Sequence, residues 1–273
     1  MSDQRPEQEW HDLLSEPPDR RKKSPLRFIP SNPRCKLCAA PYGYPGTLLF
    51  RRFGFAPWEK NPNICKRCFD GMEHHAKTCP TALENGEVSG AEVETSMLFA
   101  DVRGSSKLAR QLSTLDFSRL MNRFYRVSRR VLVDTDAIVE KFVGDEVVGL
   151  FLPFMVGTEH ARRAVEAAEA LLRETGHGSE EGPWVPLGAG VHTGTAFVGI
   201  LGSAGAGDFT ALGDPVNIAA HLASQAATGE ILLTNEIAAA SSIQTAGLEQ
   251  RSLSLKGHPV DALVLPVGAP HAL

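Results

Sequence analysis

Residues 137–152, AIVEKFVGDEVVGLFL, hold two short β-rich runs, Ala137 to Phe142 and Val147 to Leu152, joined across Gly144-Asp145. Branched and aromatic residues favour a pleated strand, and a Gly-Asp step between two such runs is a hairpin signal. Upstream, Thr95 to Val102 (TSMLFADV) reads as a buried strand. Between them, Ser113-Thr114-Leu115-Asp116 can cap a helix whose apolar positions include Phe117, Leu120, Phe124, Val127 and Val131. Downstream, Thr158 opens an Ala-rich helix to about Thr175. Leu187 to His192 and Thr195 to Leu201 read as a second hairpin through Thr193-Gly194. A helix around Asn217 to Ala226, a strand at Ile231 to Thr234 and a hairpin from about Leu253 to Leu265 follow. The order predicts an α+β fold: a ferredoxin-like βαββαβ core with an added helix and strands, helices on one face of an antiparallel sheet.

That topology has a chemical consequence. The first strand lies beside the third and runs antiparallel to it. Asp101 ends the first and Asp145 opens the third, so two carboxylates 44 positions apart converge at one edge. Singly, Asp101 reads equally well as a helix cap and Asp145 as a turn residue. Together they would repel, and a divalent cation removes the conflict. Mg²⁺ typically takes one or two carboxylates plus phosphate oxygens. After Asp101 come Val102, Arg103, Gly104 and two serines at a helix start, where backbone N–H groups favour phosphate. The pair therefore points to phosphoryl chemistry on a nucleoside triphosphate.

The chain of 273 residues has room for one substantial domain and a smaller module. Its net charge of -4 does not advertise a nucleic-acid partner, and none is expected. No apolar run approaches the ~18 residues that span a bilayer, and no charged-then-apolar signal segment opens the sequence. A soluble cytoplasmic protein is the expectation. Residues 1–33, with Pro17-Pro18 and the basic run from Arg20 to Lys23, read as a flexible tail, in which Trp10, Leu13 and Leu14 could form one docking turn.

Residues 34–84 read as a separate module, zinc-ribbon-like in its spacing. Cys35-x2-Cys38 and Cys65-x2-Cys68 suit four thiolates around tetrahedral Zn²⁺ in a structural site. An iron–sulfur cluster uses the same donors and stays open as the alternative. His74, His75 and Cys79 read as spectators, and Gly202, Gly205 and Gly207 as a plain flexible connection.

Three stretches carry a resemblance: Phe99 to Gly104 (FADVRG), Glu140 to Asp145 (EKFVGD) and Phe209 to Ala219 (FTALGDPVNIA). In that order they closely resemble the class III adenylate/guanylate cyclase catalytic domain, which covers residues 91–267. The resemblance implies conversion of a nucleoside triphosphate to a 3′,5′-cyclic nucleotide and pyrophosphate, in intracellular signalling. It implies that Asp101 and Asp145 hold two Mg²⁺ or Mn²⁺ ions, with Val102 and Gly104 beside the substrate. Lys141 and Thr210 fall at the base-reading positions and favour ATP over GTP, since a Thr hydroxyl can accept from the adenine amino group. Asn217 falls at the ribose-orienting position and Lys256 near a phosphate-contacting lysine. Family sites form between two chains, so a homodimer is implied. One position departs: where the family has a charge-stabilising arginine, this chain has His221, a single-point donor only partly protonated near neutrality. A weak or silent cyclase-like dimer that binds nucleotide and regulates is therefore the alternative reading.

Overall fold

A computed structural model describes residues 5–44, 46–71, 89–201, 208–255 and 258–267. They form two compact units. The first comprises 1–94, 152–158 and 195–212; the second comprises 95–151, 159–194 and 213–273.

In chain order the elements begin with α1 (Arg5–Ser15), β1 (Asn32–Arg34), β2 (Pro41–Tyr44) and α2 (Gly46–Phe50). The core path follows: β3 (Ser89–Val102), α3 (Ser105–Gln111), α4 (Thr114–Asp134), β4 (Ile138–Val143), β5 (Glu146–Phe151), the single turn α5 (Pro153–Val156), α6 (His160–Glu174) and β6 (Leu187–Leu201). The chain continues through β7 (Asp208–Leu212), α7 (Asp214–Gln225), β8 (Glu230–Thr234), α8 (Asn235–Ser241), β9 (Glu249–Leu255) and β10 (His258–Pro266). The sheet runs β4-β5-β3-β6-β8-β10-β9, with β7 paired to β6. Its first four strands are the ferredoxin-like set, so the α+β expectation holds.

Local chemistry explains the second unit. The Ser113 side chain accepts from the Asp116 backbone N–H at 3.1 Å, capping α4. Met121, Phe124, Ser128, Val131 and Leu132 then recur at helical spacing and are buried. The Ala-rich α6 buries Ala161, Ala164, Val165, Ala168, Leu171 and Leu172 in the same core. Truncating such a side chain, Leu132→Ala for instance, typically costs about 2–5 kcal/mol.

Three expectations need correction. Leu187 to Leu201 is one continuous strand, not a hairpin. Gly194 does not serve a turn: a Cβ there would stand 2.9 Å from the Pro215 ring, so glycine is required by close packing onto α7. Strand β8 joins β6 in parallel, Ala189 opposite Ile231. Helix α8 is an element the periodicity did not predict, being only seven residues long.

Residues 5–33 are not a solvated tail. Helix α1 buries Trp10 and Leu14, four positions apart on one face, and contacts α5 within the first unit. Arg21 donates to the Leu13 carbonyl and, at 3.2 Å, to that of Glu16, closing the end of α1. Its guanidinium also lies 5.6 Å from the Phe154 ring centre. Lys23 bonds the carbonyls of Pro18 and Leu37, so half of the basic run is spent internally. His74, His75, Cys79, Lys256 and the glycines at 202, 205 and 207 lie outside the described residues. Among those described, no helix is long and apolar enough to cross a membrane.

Candidate active site and metal centre

Strands β3 and β5 pair antiparallel from Ser96 opposite Phe151 to Asp101 opposite Glu146. The Val102 N–H donates to the Asp145 carbonyl at 3.0 Å. Asp101 and Asp145 thus stand on successive rungs at one sheet edge, as the strand order requires. Gly144, with φ +60°, makes the tight turn that places Asp145 there.

Sequence reasoning missed Arg103. Its guanidinium donates to the Asp101 carboxylate and, at 2.9 Å, to the Ser224 carbonyl near the end of α7. Burial lowers its pKa, while the charges of Asp145 and Glu146 oppose that shift. One cationic side chain therefore stands among three carboxylates. The position is one where positive charge is demanded, and its donors are hard oxygens, so the residues fit Mg²⁺ or Mn²⁺. No sequence signal singles out Arg103 beyond its place two residues after Asp101.

A cavity of about 480 Å³ adjoins Asp145. Ser105, Ser106, Asn122 and Tyr125 line it with Gly144. The Tyr125 hydroxyl donates to the Gly144 carbonyl and pins the turn. Burial, then the nearby Asp145 charge, raises the Tyr125 pKa, so it remains a donor. Val102 is buried, whereas Gly104 is exposed and starts α3 at φ +67°. Tyr125 was invisible in the sequence because its role depends on how α4 passes the turn.

The remaining predicted residues are dispersed. Lys141 lies on β4 just after a register irregularity that follows Val139. Asn217 and His221 lie one turn apart on α7, Asn217 exposed and His221 half-buried. His221 Nε2 is buried with no hydrogen-bond partner among the described residues. Thr210 belongs to the first unit, on β7 opposite Gly199 of β6.

The first unit holds the second centre. The Sγ atoms of Cys35, Cys38, Cys65 and Cys68 all lie within 4.8 Å of one another. Cys35 to Cys68 and Cys38 to Cys65 both measure 3.8 Å. Disulfides would be near 2.05 Å; a tetrahedron of ~2.3 Å Zn–S bonds has edges of about 3.8 Å. The Cys65 N–H donates to Cys35 Sγ at 3.3 Å, which favours a thiolate there. Hydrogen bonds from the other three thiols pull the Cys35 pKa down, and Cys68 is pushed up by its bond to Cys35. Cys38 is likewise shifted down and Cys65 up, so the sulfurs do not all ionise side by side, and four thiolates need a cation. The donor set fits one tetrahedral ion. A multi-iron cluster, with each thiolate on a different iron, would spread the sulfurs farther apart.

A family model described as the adenylate and guanylate cyclase catalytic domain matches residues 89–264. The adenylate cyclase of Anabaena cylindrica is 26% identical over 173 residues, covering 59% of this chain and 34% of that protein. An uncharacterized protein of Mycobacterium tuberculosis is 28% identical over 197 residues, 68% of this chain and 35% of its own length. The chain thus spans about a third of the length of these two relatives. Among solved structures, the guanylyl cyclase Cya2 matches with a TM-score of 0.57 at 25% identity, covering 66% of this chain and 96% of that one. The adenylyl cyclase CyaB from P. aeruginosa matches the fold with a TM-score of 0.55 at 24% identity, covering 66% and 97%. With the family model covering most of the chain and the aspartate pair in register, the chain belongs to the adenylate and guanylate cyclase catalytic domain family.

Proposed function

We propose that this chain converts ATP to 3′,5′-cyclic AMP and pyrophosphate at sites shared by two copies of itself. The observation that carries the proposal is the convergence of Asp101 and Asp145 across β3 and β5, beside a cavity that a helix start and Tyr125 line. The reaction is an in-line displacement: the ribose 3′-oxygen attacks the α-phosphorus, and pyrophosphate leaves. Divalent ions at such a pair supply charge neutralisation for the triphosphate and a more acidic 3′-hydroxyl. Asp101 and Asp145 hold them. Arg103 keeps the carboxylates compensated and releases Asp101 as substrate arrives.

The other copy contributes Lys141 and Thr210 to the base and Asn217 to the ribose. Lysine donates to a purine ring nitrogen, and the Thr210 hydroxyl accepts from an exocyclic amino group that adenine carries at C6 and guanine does not. ATP is favoured on that chemistry, and adenylate cyclases stand among the relatives by sequence. His221 takes the charge-stabilising place, and Lys256 the phosphate-contacting one. Zn²⁺ in the four-cysteine centre is structural, and the product serves signalling inside the cell.

Purified protein supplied with Mn²⁺ and either ATP or GTP, with products separated chromatographically, tests this. Cyclic AMP should exceed cyclic GTP by at least about tenfold, the discrimination one good polar contact supports. Cyclic GTP as the main product would overturn the base assignment; no cyclic product from either would overturn the activity.

A further inference from the structure

The family match begins at residue 89, so it leaves the four-cysteine centre without a role. Within the first unit, that centre is wired to the strand carrying Thr210. The second knuckle is zipped to the segment before it: Trp58 N–H donates to the Ile64 carbonyl at 2.9 Å, and Pro57 bridges Cys65. Phe69 directly follows Cys68. Its ring stacks on Trp58 with centroids 4.1 Å apart and planes at 16°. Both rings meet Phe209 edge-on at 6.5 Å. Phe209 is 1% exposed. Lys60 adds two polar ties, at 3.2 Å to the Asp208 carboxylate and 3.4 Å to the Phe209 carbonyl.

Successive side chains on a strand point to opposite faces. Phe209 faces the aromatic pair, so its neighbour Thr210 faces away from it. Gripping Phe209 from behind fixes the height and twist of Thr210 on the other face. We infer that the four-cysteine centre is a positioning device for the base-reading strand, whose metal locks Trp58 and Phe69 against Phe209 and thereby sets nucleotide affinity. Structural four-thiolate metals supply folding free energy outright. Here the ion joins Cys35 and Cys38 to Cys65 and Cys68 across 26 intervening residues, and so ties together the ends of a stretch that buries Tyr42, Phe55, Trp58 and Ile64. Losing it frees the knuckle that carries Phe69, then the stack, then β7. Trp58, Phe69 and Lys60 are positioning residues, since none touches substrate. The inference rests on the reading of Thr210 as a base contact.

The test uses the full chain. Trp58→Ala should retain its bound metal by elemental analysis, raise KM for ATP about tenfold and leave kcat within about twofold, because ground-state binding is what is lost. Lys60→Ala, which removes the partly exposed ion pair to Asp208 and the bond to the Phe209 carbonyl, should raise KM about two- to threefold and folds regardless of the core. Stripping the metal from wild type with a strong chelator should raise KM comparably, with zinc and not magnesium restoring it. A second readout is independent of catalysis: amide exchange at residues 208–212 should accelerate on metal removal and in Trp58→Ala. Faster exchange in a protein that makes no cyclic nucleotide would sustain the clamp while the cyclase reading fell. Unchanged exchange after complete metal loss, or KM unmoved in both variants, overturns the clamp.

Discussion

On the proposed activity, His221 is the residue expected to set the ceiling on turnover. The family places an always-charged, forked arginine where this chain has an imidazole, whose Nε2 is buried without a partner among the described residues. Such an orphaned nitrogen costs about 1–3 kcal/mol relative to a satisfied one, and an imidazole offers a phosphate one donor where a guanidinium offers a fork. His221→Arg is therefore expected to raise kcat, by up to about 10²-fold if the contact is typical of transition-state electrostatics. Steady-state kinetics decide; unchanged or lower kcat would show that this position has no transition-state role. At the same scale, Asp101 and Asp145 were legible in the sequence because strand order alone makes them neighbours. Arg103 and Tyr125 were not, because their contacts depend on a left-handed Gly104 and on the passage of α4, which no spacing encodes.

At the scale of elements, buried histidines tie loops to strands. The Leu187 N–H donates to His177 Nε2 at 3.2 Å, which requires that nitrogen to be unprotonated. His192 is buried against Thr234 at 2.8 Å. Burial lowers the pKa of both. The unfolded chain takes up protons near pH ~6.5, the folded chain only at lower pH. Their contribution is thus fully present above about pH 6.5 and is lost as pH falls below it. Thermal unfolding followed from about pH 7.5 to 5 should show a falling Tm, with a shallower slope in His177→Gln, whose amide oxygen can still accept from Leu187. An identical slope would remove His177 from the account.

Elements also mark what the sequence carried. β3, α4, β4 and β5 were legible because each has a clear period and a cap or turn. Strand β6 was misread because Gly194 looks like a turn when its purpose is space for Pro215. Helix α1 was legible only as a possible docking turn of Trp10, Leu13 and Leu14 within a tail, because the α5 segment that it contacts lies some 140 residues away.

At the scale of the whole molecule, the proposed activity requires two chains per site. The aspartates of one protomer must work with Lys141, Thr210 and Asn217 of another, so defects on opposite sides should complement. The most direct measurement is cyclic AMP formation by Asp101→Ala and Lys141→Ala chains, assayed separately and after co-expression. Each alone should be inactive within detection. Co-expressed, they should recover about a quarter of wild-type activity, since half of the dimers are mixed and each holds one intact site. Activity persisting in Asp101→Ala, or silence in the mixture when mixed dimers are present, would contradict a shared site built on the aspartate pair.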